Sequence, residues 1–327
     1  MSEHAYAAPH VIAGRRLHGG FDAEGAYVSP RTLLRWPAVH NWSAALRARG
    51  GEPLACSSGL LAGVRVPNDA QQKLLLQVGL GQTFWNTLTI TGVIEARGKL
   101  LAEIPIPRFQ DAVVEDISEM ALGHLHLGLL KAHGLDEGGD QALGTGGHDV
   151  MWFALRDLAF GETGYPQPEL PTTITRPDAS EPFPELPRPQ ARMLSFLMNL
   201  LLIELRAEIG FSSTEALLSD PELFAARRQE AGQAVELVRR IRKDEELHLE
   251  SLRVALGEAR AVHWKSFDGG QLPGHTLIDP FWERLVHWAT VEQPRLVAER
   301  SRTLLSARIL AHPEGANVLQ RFDALAT

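Results

Sequence analysis

The stretch from Val238 to Leu256, VRRIRKDEELHLESLRVAL, limits what this chain can fold into more than any other part of the sequence. Its apolar residues recur at helical spacing and form one stripe. Glu245 lies in the middle of that stripe, and His248 follows one turn later. An unpaired charge in a packed interior costs several kcal/mol, so a Glu at such a position is paired, neutralised or bound to metal. The stretch therefore predicts either a metal-ligand pair on a bundle helix or, if this face is exposed, an ordinary surface Glu and His.

Composition and charge narrow the class of protein. Of the 327 residues, 44% are hydrophobic, which is enough for a sizeable core. The net charge of −8, with Lys and Arg scattered, argues against nucleic acid or an anionic membrane as the main partner. Cys56 is the only cysteine, which excludes an intrachain disulfide and a thiolate metal site. Because the N-terminus lacks the pattern of a signal peptide and no apolar run is long enough to span a bilayer, we expect a cytoplasmic protein.

The chain divides into four segments that together predict an all-α, multi-helix bundle. Residues 1–67 are expected to form an irregular N-terminal arm without chemistry, apart from a short helix near Trp42 to Arg49. Residues 68–160 are expected to form the first helical half. Residues 161–190 contain eight of the 20 prolines, which predicts an irregular crossover. Residues 191–327 are expected to form the second helical half of the same domain.

The first helical half contains two long periodic stretches that carry acids. Asn68 opens a helix that is predicted to run to about residue 100, and Glu95 shares its apolar face, although exposure near the helix end is the alternative. A second helix is predicted from about Phe109 to His133, with Glu119 and His126 on its apolar face. If the two helices pack antiparallel, Glu95 and Glu119 meet at one level.

The rest of this half offers less chemistry. A short helix is predicted from His148 to Phe160 after a Gly-rich loop. His148 and Asp149 are adjacent and cannot share a helix face, so a role for Asp149 at the helix start is the preferred interpretation.

The second half contributes one more buried acid. The helix from about Gln190 to Gly210 is apolar on most of its circumference, so Glu204 at the centre of its stripe should be buried, and Glu208 lies near it. A buried Glu–Arg pair is the alternative to a ligand. The last helical segment, from Phe281 to about Leu310, is expected to be kinked at Pro294, and nothing in it has ligand spacing.

Separate helices are thus predicted to bring several carboxylates into one interior. The acids are Glu95, Glu119, Glu204 and Glu245, with His126 and His248 on the same faces as their neighbours. Four buried acids cannot all be ionised together without cations. Nitrogen and oxygen ligands without sulfur suit iron or manganese.

With these residues, the sequence resembles the helical non-haem di-iron carboxylate proteins, in two variants. Ferritin-like members carry Glu, Glu-x-x-His, Glu and Glu-x-x-His on four helices. This pattern is matched by Glu95, Glu119, Glu204 and Glu245-x-x-His248. Leu122 stands where the second motif has its His, although a π-bulge near Gly123 would bring His124 into place.

The haem-oxygenase-like di-iron oxidases use a different spacing. Their Glu-x6-His, lone Glu and His-x3-Asp/Glu-x2-His are matched by Glu119-x6-His126, Glu204 and Glu245-x2-His248. Ile241 stands where the leading His is expected. Each variant therefore lacks one nitrogen ligand, so a mononuclear site also remains open.

The resemblance implies an O2-dependent oxidase or oxygenase with two iron ions, although one iron or manganese is also compatible. The expected substrate is a small apolar or aromatic compound in a pocket lined by Phe84, Leu88, Leu122, Leu197 and Leu201. Glu208 and Glu115, each one turn from a ligand candidate, are the candidates for proton handling. The electron donor is not identified, and a homodimer is left open. The alternatives are a non-catalytic helical scaffold with buried ion pairs or a structural metal, and a ferroxidase or metal store.

Overall fold

The computed structural model describes residues 10–61, 65–171, 176 and 182–326. Over these residues the protein is mostly helical, which confirms the prediction of an all-α protein at that level. The helices are α1 (Thr32–Ala48), α2 (Asp69–Gln77), α3 (Gln82–Gly98), α4 (Ala121–His124), α5 (Leu130–Gly138), α6 (His148–Phe160), α7 (Arg188–Ser219), α8 (Arg228–Ala261), α9 (Gly274–His287), α10 (Gln293–Leu310) and α11 (Gly315–Ala324).

Short strands form antiparallel hairpins outside the helical body. The described strands pair as β1 (His10–Ile12) with β2 (Arg15–Leu17), β3 (Gly20–Phe21) with β4 (Tyr27–Val28), and β5 (His263–Lys265) with β6 (Gln271–Pro273). No helix in the described part of the chain is both long enough and apolar enough to cross a membrane.

Helices α7 and α8 form the centre of the molecule and run antiparallel. Glu208 pairs with Arg242 at 2.6 Å and Glu215 pairs with Arg239 at 2.8 Å, so the order of partners along one helix is reversed along the other. Helices α3 and α6 pack on each other, and α6 also packs on α8. A Cβ on Gly92 would lie 2.9 Å from the Phe153 ring, so glycine allows α3 and α6 to approach closely.

A polar layer separates two apolar clusters of the core. Along α8, Ile241 belongs to one cluster and Leu252 to the other, and Glu245 and His248 lie between them. All four residues are buried. Polar side chains therefore replace apolar ones in the middle of α8, the longest described helix. Packing alone does not explain polar residues at these buried positions.

The predicted helix from Phe109 to His133 is wrong over its first half. The chain forms a single 3-10 turn at Phe109–Ala112 and does not become α-helical until α4. Local side chains take the backbone groups that a helix would need. The Gln110 side chain accepts from the Ile117 N–H at 2.9 Å, and Asp116 Oδ1 accepts from the Ser118 N–H at 2.9 Å.

The second half of that predicted helix is interrupted and then continues further than expected. A π-helical turn at Leu125–Leu129 contains Gly128 with φ 131°. Helix α5 then runs to Gly138, through residues that the sequence assigned to a Gly-rich loop. His133 and the four residues after it are therefore helical.

The N-terminal arm is more regular than predicted. Its described residues form two hairpins and α1, a 17-residue helix that starts well before the short helix expected near Trp42. The capping box of Asn68 with Gln71 is confirmed at the start of α2. The predicted helix to residue 100 is broken after Val78, where Gly79 has φ +82°.

The crossover and the C-terminal helices follow the prediction more closely. Between Gly161 and Pro187 the described residues form neither helix nor strand, and residues 172–175 and 177–181 of the predicted crossover lie outside the described ranges. A π-helical turn at Trp288–Glu292 precedes α10, and Pro294 lies in the first turn of α10, where the kink was expected. Helix α9 begins at Gly274, earlier than predicted.

Candidate metal centre

Five helices bring seven acidic and imidazole side chains into one buried cluster. The residues are Glu95 of α3, His133 and Glu137 of α5, His148 of α6, Glu204 of α7, and Glu245 and His248 of α8. Glu95 is the most exposed of them, at 7%. We call these seven residues the acid–imidazole cluster.

The cluster consists of two overlapping groups that share Glu137. In one, His133, Glu137, Glu204 and His248 each offer a ligand atom, and these atoms lie within 4.8 Å of one another. In the other, the same limit holds for Glu95, Glu137, His148 and Glu245. Ligand atoms about 2.0–2.2 Å from a common ion lie at most about 4.4 Å apart. Both groups are therefore close to the size of a coordination sphere, and a carboxylate common to both lies where a bridging ligand would be.

Three of these donor atoms are buried and have no hydrogen-bond partner among the described residues: His133 Nε2, Glu137 Oε1 and His148 Nδ1. His133 Nε2 lies 3.0 Å from Glu204 Oε1, and His148 Nδ1 lies 3.0 Å from Glu245 Oε1, but neither contact has hydrogen-bond geometry. A buried polar atom without a partner costs about 1–3 kcal/mol. Three such atoms in one place fit cations that would satisfy them, one beside His133 and one beside His148, with Glu137 between the two.

His148 is oriented by a carboxylate behind it. Its Nε2 lies 3.1 Å from Asp244 Oδ2, which also accepts from Tyr27 Oη at 3.1 Å and lies 3.0 Å from His18 Nε2. A proton on Nε2 that is donated to Asp244 leaves the Nδ1 lone pair directed at the acids of the cluster. This is the arrangement by which proteins fix the tautomer of a metal-binding imidazole.

His248 has the same kind of support. Its Nε2 lies 3.0 Å from Asp136 Oδ2, while its Nδ1 lies 2.9 Å from Glu245 Oε2. Asp136 in turn accepts from Arg35 at 2.6 Å and from Arg31. Burial would raise the pKa of Asp136, but Arg35, His248 and Arg31 outweigh it and hold the pKa well below its usual range. The residues behind both imidazoles thus come in part from the N-terminal arm.

The acids of the cluster do not share one protonation state in the absence of a cation. Burial, followed by repulsion from Glu245, raises the pKa of Glu204 to about 7. Burial and then Glu137 raise the pKa of Glu95 well above its usual range. Burial opposes ionisation of Glu245 as well, but the nearby imidazoles of His248 and His148 lower its pKa to about 2. The cluster therefore retains protons at neutral pH that incoming cations would displace.

Four of the predicted ligands meet in the cluster: Glu95, Glu204, Glu245 and His248. The alternative of a Glu204–Arg ion pair does not apply within the described ranges, because the close partner of Glu204 is His133. Glu245 is likewise close to imidazoles.

The predictions of ligands at Glu119 and His126 are corrected. Glu119 is exposed in a turn between Ile117 and α4, because the helix that would have carried it inward does not form. His126 lies half-buried in the π-helical turn and is not part of the cluster. Glu95 and Glu119 therefore do not meet. The π-helical turn does not bring His124 in either, since His124 lies against Trp42 with ring centroids 4.9 Å apart.

The two residues predicted to handle protons also lie outside the cluster. The Glu115 carboxylate accepts from the backbone N–H of His263 at 2.9 Å and lies 2.7 Å from its Nδ1, which ties it to β5. Glu208 accepts from Arg242 at 2.6 Å on the outer side of α7 and α8. Both carboxylates are held in surface contacts, and neither reaches the cluster.

Three cluster residues were missed from the sequence: His133, Glu137 and His148. His133 and Glu137 are four apart, which places them on one helix face. The predicted helix ended at His133, however, and Glu137 was assigned to the Gly-rich loop after it. No imidazole stands at Leu122 or Ile241, where the two patterns have one, but the imidazoles of His133 and His148 lie in the cluster. Leu122 and Ile241 are both buried in the apolar core.

The expected pocket is also placed differently. Leu122, Leu197 and Leu201 are packed in one apolar cluster and Leu88 in the other. Phe84 does line a cavity, the second of the two described next. A cavity of about 510 Å³ has Glu95 in its wall, beside Trp152, Ile203 and Phe211. It adjoins a second cavity of about 630 Å³, and the two share Arg206 and Gln293. We call these two cavities together the cleft.

No known protein family, no curated protein and no solved structure matches this chain. Function therefore has to be inferred from the cluster and the cleft themselves.

Proposed function

We propose that the acid–imidazole cluster holds two metal ions, iron in the first place, and that the protein is an O2-dependent non-haem oxidase or oxygenase acting on a small apolar or aromatic compound. The observation that carries this proposal is the convergence of three buried donor atoms that have no hydrogen-bond partner within the described ranges, His133 Nε2, Glu137 Oε1 and His148 Nδ1. Each belongs to a group of four donors whose atoms lie within 4.8 Å of one another.

The donor set supports iron or manganese. Four carboxylates and three imidazoles without sulfur suit these metals, and bridging carboxylates are typical of dinuclear sites in helical bundles. In one group the donors would be His133, Glu137, Glu204 and His248, and in the other Glu95, Glu137, His148 and Glu245. Glu137 would then be the shared ligand.

The ligand order supports a ferritin-like or haem-oxygenase-like bundle without matching either pattern in full. Glu95, Glu204 and Glu245-x-x-His248 follow the ferritin-like order. Helix α5 supplies His-x-x-x-Glu in place of Glu-x-x-His, and α6 adds His148. We assign the chain to this broad class on its site, and leave the choice between the two types open.

The cleft favours an organic substrate over iron storage, because it brings an apolar wall to one edge of the cluster. Two ferrous ions held here would supply electrons for the reduction of O2 beside that wall. Trp152 and Phe211 would exclude water and position the substrate against Glu95. Glu95 is a donor of the cluster and also lies in the cavity wall, so a bound substrate would lie next to the metal position that Glu95 would help to hold.

Metal analysis of protein purified without chelator tests the proposal, with O2 uptake by the ferrous-loaded protein as the second measurement. We expect about two iron ions per chain, as in other dinuclear bundle sites. Glu204→Ala should lose metal and O2 uptake. Glu208→Ala is the matched control, since Glu208 lies one turn further along α7 and pairs with Arg242 outside the cluster.

Two results would contradict the proposal. Equal metal content in the Glu204→Ala and Glu208→Ala variants would remove the cluster as the site. Stabilisation of the fold by metal without any O2 uptake would instead favour the non-catalytic scaffold with a structural metal.

A further inference from the structure

Among the described residues that line the cleft, one cation has no acidic partner. Three arginines line its described walls, and two of them have acidic partners. Arg65 pairs with Asp69 at 2.7 Å, and Arg300 pairs with Glu169 at 3.4 Å. Arg206 lines both cavities, and no carboxylate of the described residues lies within ion-pair distance of it.

Arg206 is held in place by neutral groups. Its guanidinium donates to Gln293 Oε1 at 2.9 Å and lies 5.0 Å from the centre of the Trp288 ring. These contacts use few of its five N–H donors. Burial alone lowers the pKa of Arg206, which agrees with the absence of an acid beside it in the described part of the chain. A partly desolvated cation without a counter-ion is costly, so its retention in a cavity wall indicates a ligand that carries the opposite charge.

We propose that the cleft binds an apolar carboxylic acid whose carboxylate pairs with Arg206 and whose apolar part extends along Trp152 and Phe211 toward Glu95. The inference rests on the proposed function only in calling this ligand the substrate. One guanidinium balances the single charge of a carboxylate and matches its two oxygens, whereas a phosphate monoester carries about two charges and would need a further cation. The cavity of about 510 Å³ has the volume of roughly 17 water molecules at about 30 Å³ each. A ligand of about a dozen heavy atoms therefore fits.

Binding to the metal-free protein tests the inference apart from any redox activity. Isothermal titration with decanoate and decanol, and with naphthoate and naphthalenemethanol, compares ligands that share a carbon skeleton and differ in whether its last carbon is a carboxylate or an alcohol. We expect the acids to bind about ten- to a hundredfold more tightly than the alcohols, as for a charge-assisted bidentate pair. Arg206→Gln should remove this preference, and Arg206→Lys should keep part of it because the charge remains.

Arg300→Gln is the matched control, because Arg300 lines the same cavity but is exposed and already paired with Glu169. Circular dichroism confirms that each variant is folded. Alcohols that bind as tightly as the acids, acids that do not bind at all, or an equal loss in the Arg206→Gln and Arg300→Gln variants would each overturn the inference.

The two proposals fail separately. If the wild-type protein holds metal but binds neither acid, the carboxylate site is wrong and the metal centre stands. If decanoate binds through Arg206 but the protein holds no metal, the carboxylate site stands and the proposed oxidase does not.

Discussion

Replacing Gly98 with alanine would test the shared position of Glu137 without removing any ligand. Gly98 ends α3 with an ordinary helical φ of −57°, so its backbone accepts alanine. An added Cβ would lie 2.5 Å from Glu137 Cγ and 2.7 Å from Glu137 Cβ. Comfortable carbon–carbon contacts are about 3.5–4.0 Å, so Glu137 would have to move by about 1 Å. Because the contact includes Cβ, rotation of the side chain alone does not relieve it.

A displacement of this size exceeds the tolerance of a metal site, which is about 0.5 Å. We therefore expect the Gly98→Ala variant to bind metal about 10- to 100-fold more weakly than the wild type. The fold should lose little stability, since overpacking costs about 1–3 kcal/mol and the better helix propensity of alanine returns about 1 kcal/mol. Titration of chelator-treated protein with Mn²⁺ or anaerobic Fe²⁺ against a chromophoric chelator measures the affinity.

Gly232→Ala is the control for helix propensity alone. Gly232 lies in α8, and a Cβ there would have no neighbour within 4 Å. This variant should be more stable than the wild type by about 0.5–1 kcal/mol and bind metal normally. Equal metal affinity in the Gly98→Ala and Gly232→Ala variants would refute the position of Glu137 as a ligand common to both groups.

Two further predictions concern residues beside the cluster. Asp244→Asn keeps the shape of the side chain but removes the charge behind His148, so metal affinity should fall about 10- to 100-fold. The control Glu246→Gln, at the exposed face of α8, should leave metal affinity unchanged. The same chelator competition measures both variants. Burial raises the pKa of Glu258 from 4.5 to about 7. Between these values the folded state holds a proton that the unfolded state has lost. The contribution of Glu258 to wild-type stability should therefore fall as pH rises from about 4.5 through 7, by at most about 3 kcal/mol. Glu258→Gln should flatten this dependence in urea denaturation between about pH 5 and 8, and identical slopes in the two proteins would contradict the sign.

The acids on long uninterrupted helices could be predicted from the sequence. Glu204 and Glu245 lie on α7 and α8, where the apolar stripe keeps one phase over many turns and a carboxylate within it is conspicuous. Glu95 was found in the same way, although its helix begins later than expected. For such helices the phase alone indicates which face is buried.

The cluster residues of α5 could not be predicted, because the glycines of this helix allow it to pack closely against its neighbour. A Cβ on Gly134 would lie 2.5 Å from Ala102 N, and one on Gly138 would lie 2.3 Å from Lys99 Cβ. Glycine is required there so that α5 can lie against the end of α3, yet in the sequence the same residues are typical of a loop. With that interpretation the helix face that His133 and Glu137 share was not recognised.

His148 was missed for a different reason. It is the first residue of α6, and its side chain is completely buried, while the adjacent Asp149 accepts from the Val150 N–H at the helix start. Nothing local distinguishes it from a surface histidine. Its partners Glu245 and Asp244 are about a hundred residues away in the chain, and only the packing of α6 on α8 brings them together.

The N-terminal arm cannot be a dispensable addition to the helical body. Arg31 and Arg35 contact Asp136, and His18 and Tyr27 contact Asp244, although both carboxylates belong to the helices. In a helical body cut free of residues 10–35, Asp136 would lose both arginines and keep His248, and Asp244 would lose His18 and Tyr27 and keep His148. The loss of one partner from a buried ion pair costs about 3–5 kcal/mol. Truncation or proteolytic removal of this segment would therefore destabilise the buried carboxylates behind the two imidazoles, although the segment itself lies outside the cluster.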